Sequence, residues 1–142
     1  MAIKAITGRN GHGDIQLKIP VGGSLVSYKG QMAVMEYETV MPQEQVTTLG
    51  TEAAPTFEGG LETMSFTLAG FVFYDEVNTK PLINLSSLQG VDFTSTFETG
   101  CTLSGTKNFS RGRIRRAAGQ RMSMVAEGVI TGAYTLTWDE TP

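Results

Sequence analysis

The chain has 142 residues, 40% of them hydrophobic, which suits one domain spanning 1–142 and leaves little room for two. Only 18% are charged, and 17 glycines beside abundant Thr, Ser and Val favour strands and turns over helices. No apolar run approaches the ~20 residues of a membrane-spanning helix, and Met1 to Gly13 lacks the apolar core of a secretory signal, so the expectation is a soluble, intracellular, β-rich domain.

Asp14 to Ile19 alternates apolar and polar, with Ile15, Leu17 and Ile19 on one face, and reads as a strand ended by Pro20 and Gly22-Gly23. Ser24 to Tyr28 is a second strand. Ala33 to Met41 is a third, in which Glu36 and Glu38 share a face with Val34 and Val40. A polar stretch follows at 42–60, too long for an ordinary hairpin turn, and reads as a long loop or arm. Strand character returns from Leu61 to about Tyr74, with Met64, Phe66 and Leu68 on one face and Gly70 as a bend or bulge.

Asn78 to Gly90 is the one helix candidate, capped by Asn78 or Thr79, with Pro81 in its first turn and Leu82, Leu85 and Leu88 near one face. Val91 to Glu98 alternates cleanly, Val91, Phe93 and Phe97 inward. Gly100 and Gly105 frame a further short strand. Met122 to Trp138 reads as two strands or one bent strand, with Ile130, Tyr134, Leu136 and Trp138 on one face. Seven or eight strands with one short flanking helix make an all-β class, a small sandwich or barrel.

The net charge of −3 hides an uneven distribution. Residues 30–106 hold ten acids against one base, Lys80, whereas 107–121 holds Lys107, Arg111, Arg113, Arg115, Arg116 and Arg121 with no acid. Such a chain is electrostatically complementary to a second copy of itself. In extended form Arg111, Arg113 and Arg115 line one side of a strand. Arginine forks match phosphate oxygens, which makes a nucleic-acid-binding module the alternative reading. Only Phe109 lies near the cluster, though, so the base-stacking pattern of single-strand binders is missing. A solvated turn, or an ion-pair strip between subunits facing the acidic middle, is favoured.

Catalytic and metal chemistry find little support. One cysteine and one histidine allow neither an intrachain disulfide nor a Cys/His zinc site, and no Asp-x-Asx-x-Asx-Gly run is present. His12 sits in a glycine-rich stretch, Gly8 to Gly13, which does not promise the fixed geometry a general base needs. Cys101 reads as a small buried apolar residue whose only candidate activator is His12. The acid pairs Glu36/Glu38 and Asp75/Glu76 are more simply a solvated or interface stripe. The glycines near Gly8 fit no Walker or Rossmann spacing. No enzyme activity, metal or cofactor is expected.

One pattern spans roughly residues 33–135. Gln45-Val46-Thr47-Thr48-Leu49-Gly50 leads through Phe57-Glu58-Gly59-Gly60-Leu61-Glu62 into Ser65-Phe66-Thr67-Leu68-Ala69-Gly70-Phe71, and the chain later reads Ala117-Ala118-Gly119-Gln120-Arg121 on to Val129-Ile130-Thr131-Gly132. This resembles the tail tube (major tail) proteins of long-tailed bacteriophages, in a minimal form without an appended immunoglobulin-like domain. The resemblance implies a β-sandwich with a flanking helix whose copies join edge to edge into a hexameric ring. Rings then stack into a hollow tube through which DNA is ejected. It implies as partners the chain itself and other tail proteins, with DNA passing without specific binding, no membrane and no small-molecule substrate. The location implied is the virion tail, assembled in the host cytoplasm. The tube subunit of a related bacterial contractile or secretion machine is the nearest rival. Candidate inter-subunit contacts are Glu44, Thr47, Leu49, Glu52, Phe57 and Glu58 on the arm, and Arg111, Arg113, Arg115 and Arg116 on the basic strip.

Overall fold

The computed structural model describes residues 13–19, 22–28, 32–46, 56–72 and 81–139. Alternating apolar residues build β1 (Asp14–Lys18), which buries Ile15 and Leu17, and β2 (Leu25–Ser27), which pairs with it antiparallel. Next comes β3 (Met32–Val40). A hairpin of β4 (Gln43–Val46) and β5 (Thr56–Gly59) follows it, forming a separate two-stranded sheet. The stretch read as an arm therefore carries strand pairing of its own, from Gln43↔Gly59 to Val46↔Thr56. β6 (Thr63–Phe71) buries Met64, Phe66 and Leu68. β7 (Val91–Glu98), β8 (Cys101–Arg115) and β9 (Ser123–Thr137) complete a seven-stranded antiparallel sheet of order β2-β1-β7-β8-β9-β6-β3.

Two details differ from the sequence expectation. The strand framed by Gly100 and Gly105 does not stop at Gly105. It runs 15 residues to Arg115, so the arginine cluster is strand and not turn. The bulge near Gly70 lies in the partner strand, where Ala33 is extra between the pairs Met32↔Gly70 and Val34↔Ala69. Of the two readings for 122–138, two strands or one bent strand, the structure shows the second: β9 (Ser123–Thr137), with Gly132 at φ +74 opposite the register shift around Gly105. Its far end pairs Leu136 with Leu103, yet Leu136 and Trp138 stay about half exposed, whereas Ile130 and Tyr134 pack on the core.

The helix expected over 78–90 is also corrected. Its caps, Asn78 and Thr79, lie outside the described residues; 81–90 forms successive turns around one 3-10 turn, Leu85–Ser87. Leucines three apart drift about 60° per step around an α-helix but eclipse one another in 3-10 geometry. Here Leu82 and Leu88 are fully buried and Leu85 partly. The polar residues between them add to this, because Ser86 donates to the Asn84 side chain and Ser87 to the Asn84 carbonyl, contacts that compete with helical bonding. The result is a strap tied to β8: Phe109 donates to the Leu88 carbonyl at 3.0 Å, Gln89 donates to the Phe109 carbonyl at 2.7 Å, and Gly90 donates to the Asn108 side chain at 2.7 Å.

The sheet rolls onto itself. Tyr37 on β3, at one end of the strand order, stacks on Phe93 of β7 and meets Phe97 edge-on, although three strands separate β3 from β7 in the ladder. Between the two halves lie Ile15, Leu17, Phe66, Leu68, Phe93, Leu103 and Phe109. The sandwich-like body is one continuous sheet curled over its own core, the all-β class read from the sequence.

Candidate assembly surface

Pairing with β7 ends at Val91↔Lys107, so β8 from Ser110 to Arg115 bonds only to β9 among the described strands. On the other side, β3 pairs only with β6 among the described strands. The distal half of the sheet is thus four strands wide, β8-β9-β6-β3, with an edge at each side along which no described strand lies.

Register places the charges on this half. Directly paired residues of an antiparallel ladder share a face. The pairs Arg111↔Glu127, Glu127↔Thr67 and Thr67↔Glu36 therefore form one row across the sheet, and Arg113↔Val125, Val125↔Ala69 and Ala69↔Val34 form the next. Arg111, Arg113 and Arg115 stand in a column on the β8 edge, all exposed. Glu36 and Glu38 stand in a column on the β3 edge, exposed beside Val34 and Val40, as the shared face read from the sequence requires. Interleaved inward residues belong to the core or the strap. Gly112 is one: a Cβ there would lie 2.5 Å from the Leu82 carbonyl oxygen and 3.0 Å from the Ile83 Cα. The strap can lie flat on β8 because this position has no side chain.

Among the described residues these charges find little compensation. Arg111 approaches Glu127 at 3.9 Å with its side chain 69% exposed, a surface pair worth about 0–1 kcal/mol. Arg121 lies over the Phe71 ring at 5.7 Å. Arg116 is exposed just beyond the strand. On the hairpin, Glu44 and Glu58 are exposed and directly opposite each other, a like-charge pairing that disfavours an isolated hairpin. Phe57 beside them is 57% exposed, and Leu61 at the hairpin base is 87% exposed. Thr47, Leu49 and Glu52 lie outside the described residues, as do His12 and Asp75/Glu76. Cys101 is buried, as read from the sequence. No group of three or more His, Cys, Asp or Glu among the described residues is placed to hold a metal.

Sequence reasoning missed one polar group, Lys107. Its side chain is fully buried, its Nζ donates to the Tyr37 hydroxyl at 2.7 Å, and it lies 4.3 Å from the centroids of both Phe66 and Phe93. Tyr37 in turn hydrogen-bonds Ser95, itself buried. Burial pushes the Lys107 ammonium well below the ordinary lysine range; it also pushes the Tyr37 phenol up, against the opposing Ser95 hydrogen bond. The signal was present in the alternation, since Leu103, Lys107 and Phe109 share one phase of β8.

The same rolled sheet is found in solved particles. A chain in the tail of an empty gene transfer agent particle, obtained by helical refinement with C6 symmetry, is similar over 87% of this chain and 94% of its own, with TM-score 0.67 and 12% identity. The fold is shared with tail-particle chains. A chain in the virion of the native gene transfer agent particle matches likewise, with TM-score 0.66 and 12% identity over 87% of this chain and 95% of its own. One in the six-fold symmetrised baseplate of the anti-feeding prophage covers 99% of both chains at TM-score 0.67 and 13% identity. No protein-family model matches the sequence, and no curated protein matches it. The likeness to tail proteins read from the sequence is thus met at the level of the fold.

Proposed function

We propose that this chain is a structural, non-catalytic subunit of a phage-tail-like particle, built into the virion tail, whose copies join edge to edge into a hexameric ring. Rings stack into a tube that conducts DNA during ejection. The observation that carries this reading is the pair of unlike edges, along which no described strand lies, on a tail-particle fold. Three steps in the antiparallel ladder separate β8 from β3, so the two edges run in opposite directions. A like-oriented second copy therefore sets its β8 antiparallel to the first copy's β3. Such a head-to-tail contact uses different surfaces on each side, and it forms a closed ring when its rotation closes. Closure also removes the aggregation hazard of exposed edges. Six-fold closure is supported by the symmetry of the neighbouring particles.

The hairpin arm contacts a neighbouring copy in this arrangement through Glu44, Phe57 and Glu58, and Thr47, Leu49 and Glu52, between its two strands in the sequence, are proposed to join that contact. Its half-exposed phenylalanine and opposed glutamates are groups that a partner would cover and neutralise. A nucleic-acid-binding role for Arg111 to Arg116 is disfavoured by Glu127, which stands directly opposite Arg111 on the same face and repels phosphate. Among the described residues no helix is long and apolar enough to cross a membrane.

Purified protein at increasing concentration, viewed by negative-stain electron microscopy, is expected to show rings or tubes of uniform diameter. A chain that stays monomeric at high concentration contradicts the proposal.

A further inference from the structure

Resting on that reading, we infer that the junction between copies is a specific charge ladder. Arg111, Arg113 and Arg115 on the β8 edge of one copy face Glu36 and Glu38 on the β3 edge of the next.

Three observations support it. Side chains two apart on a strand recur every ~6.8 Å, so the arginine and glutamate columns have the same pitch. Both columns lie on one face of the four-stranded half, as the row Arg111–Glu127–Thr67–Glu36 requires. A continuous sheet across the junction would therefore bring them to the same side, and any even register between the edges preserves the match. Distance decides the rest. Within one copy the columns are three strand spacings apart, ~14 Å, beyond a Debye length of about 8 Å at physiological salt. Across a strand-to-strand junction they would be ~4.8 Å apart, within side-chain reach. Each copy thus holds both halves of a contact it cannot make with itself.

Correct partnering follows from this as well. A β8 edge against another β8 edge sets arginines against arginines, and β3 against β3 sets glutamates against glutamates. Both like-edge pairings are opposed by charge, which leaves the head-to-tail one.

The test uses two full-length variants, Glu36→Arg/Glu38→Arg and Arg113→Glu/Arg115→Glu, with assembly followed by sedimentation and electron microscopy. Circular dichroism confirms that each is folded. Each alone presents like charges at every junction, and its assembly is expected to need at least about tenfold more protein than wild type. Mixed in equal amounts they are expected to assemble at near wild-type concentration, because alternating copies restore an arginine–glutamate ladder at every junction. A chain carrying all four reversals is expected to assemble alone. If wild type never assembles, the tube reading itself fails. If wild type assembles and the reversed variants do so equally well, or if the mixture does no better than its parts, the ladder is overturned while the tube reading stands.

Discussion

At the scale of single residues, Lys107 carries the most unusual physics in the chain. A fully buried lysine whose hydrogen-bond acceptor is a tyrosine hydroxyl, set among aromatic rings, is disfavoured in its charged form. The folded state therefore releases this proton at lower pH than the unfolded chain, where lysine titrates near 10.5. Between those two values the unfolded state binds more protons, so stability rises with pH and levels off once both states are neutral. Tyr37 acts in the opposite sense only above pH 10, where the unfolded phenol ionises first. Denaturant unfolding followed as pH is raised toward 10 is expected to show stability increasing with pH, by up to about 1.4 kcal/mol per unit where the two states differ by a full proton, and Lys107→Met is expected to flatten that slope. An unchanged slope in the variant would show that Lys107 is not its source. Lys107 was readable as an inward position from the phase of β8. Its acceptor was not, because Tyr37 lies 70 residues away and meets it only when the sheet rolls.

At the scale of elements, the strap over 81–90 depends on a bare glycine in the strand beneath it. Gly112→Ala drives a methyl group into the Leu82 and Ile83 backbone, which cannot swing aside as a flexible side chain would. An overpacking cost of about 1–3 kcal/mol is expected, measured by chemical denaturation, with the hydrogen bonds that tie the strap's Leu88 and Gln89 to Phe109 weakened. A variant as stable as wild type would mean that the strap lifts off β8 at no cost. Elements whose alternation is unbroken, β1, β6 and β7, were legible in the sequence because period two needs only local information. β8 was underestimated, since Gly105 and Gly112 look like strand breakers until Phe93, Tyr134 and the strap are seen packed against them. The helix expectation failed for a related reason. Leucines spaced by three mark a buried flank without choosing between α and 3-10 geometry, and the Asn84, Ser86 and Ser87 side chains chose.

At the scale of the whole molecule, the fold divides into a rolled body and a four-stranded half whose borders no described strand covers. The uneven charge along the sequence was legible as self-complementarity. What could not be read was where each charge would stand, because Glu36 is set against Arg111 only through two intervening strands, β9 and β6. The acidic middle and the basic strip become opposite margins of one surface. An ionic junction of this kind is screened by salt, so tubes formed at 0.05 M salt are expected to dissociate at lower dilution when returned to 0.5 M. Turbidity or sedimentation would read this, and salt-indifferent assembly would point instead to the apolar groups Phe57 and Leu61 as the main contact.

Amide hydrogen exchange, compared between dispersed and assembled protein, tests most directly whether identical neighbours complete those borders. Residues 33–40 and 110–115 are both expected to gain strong protection on assembly, while the already paired interior strands change little. Equally fast exchange at both edges in dispersed and assembled protein would contradict it.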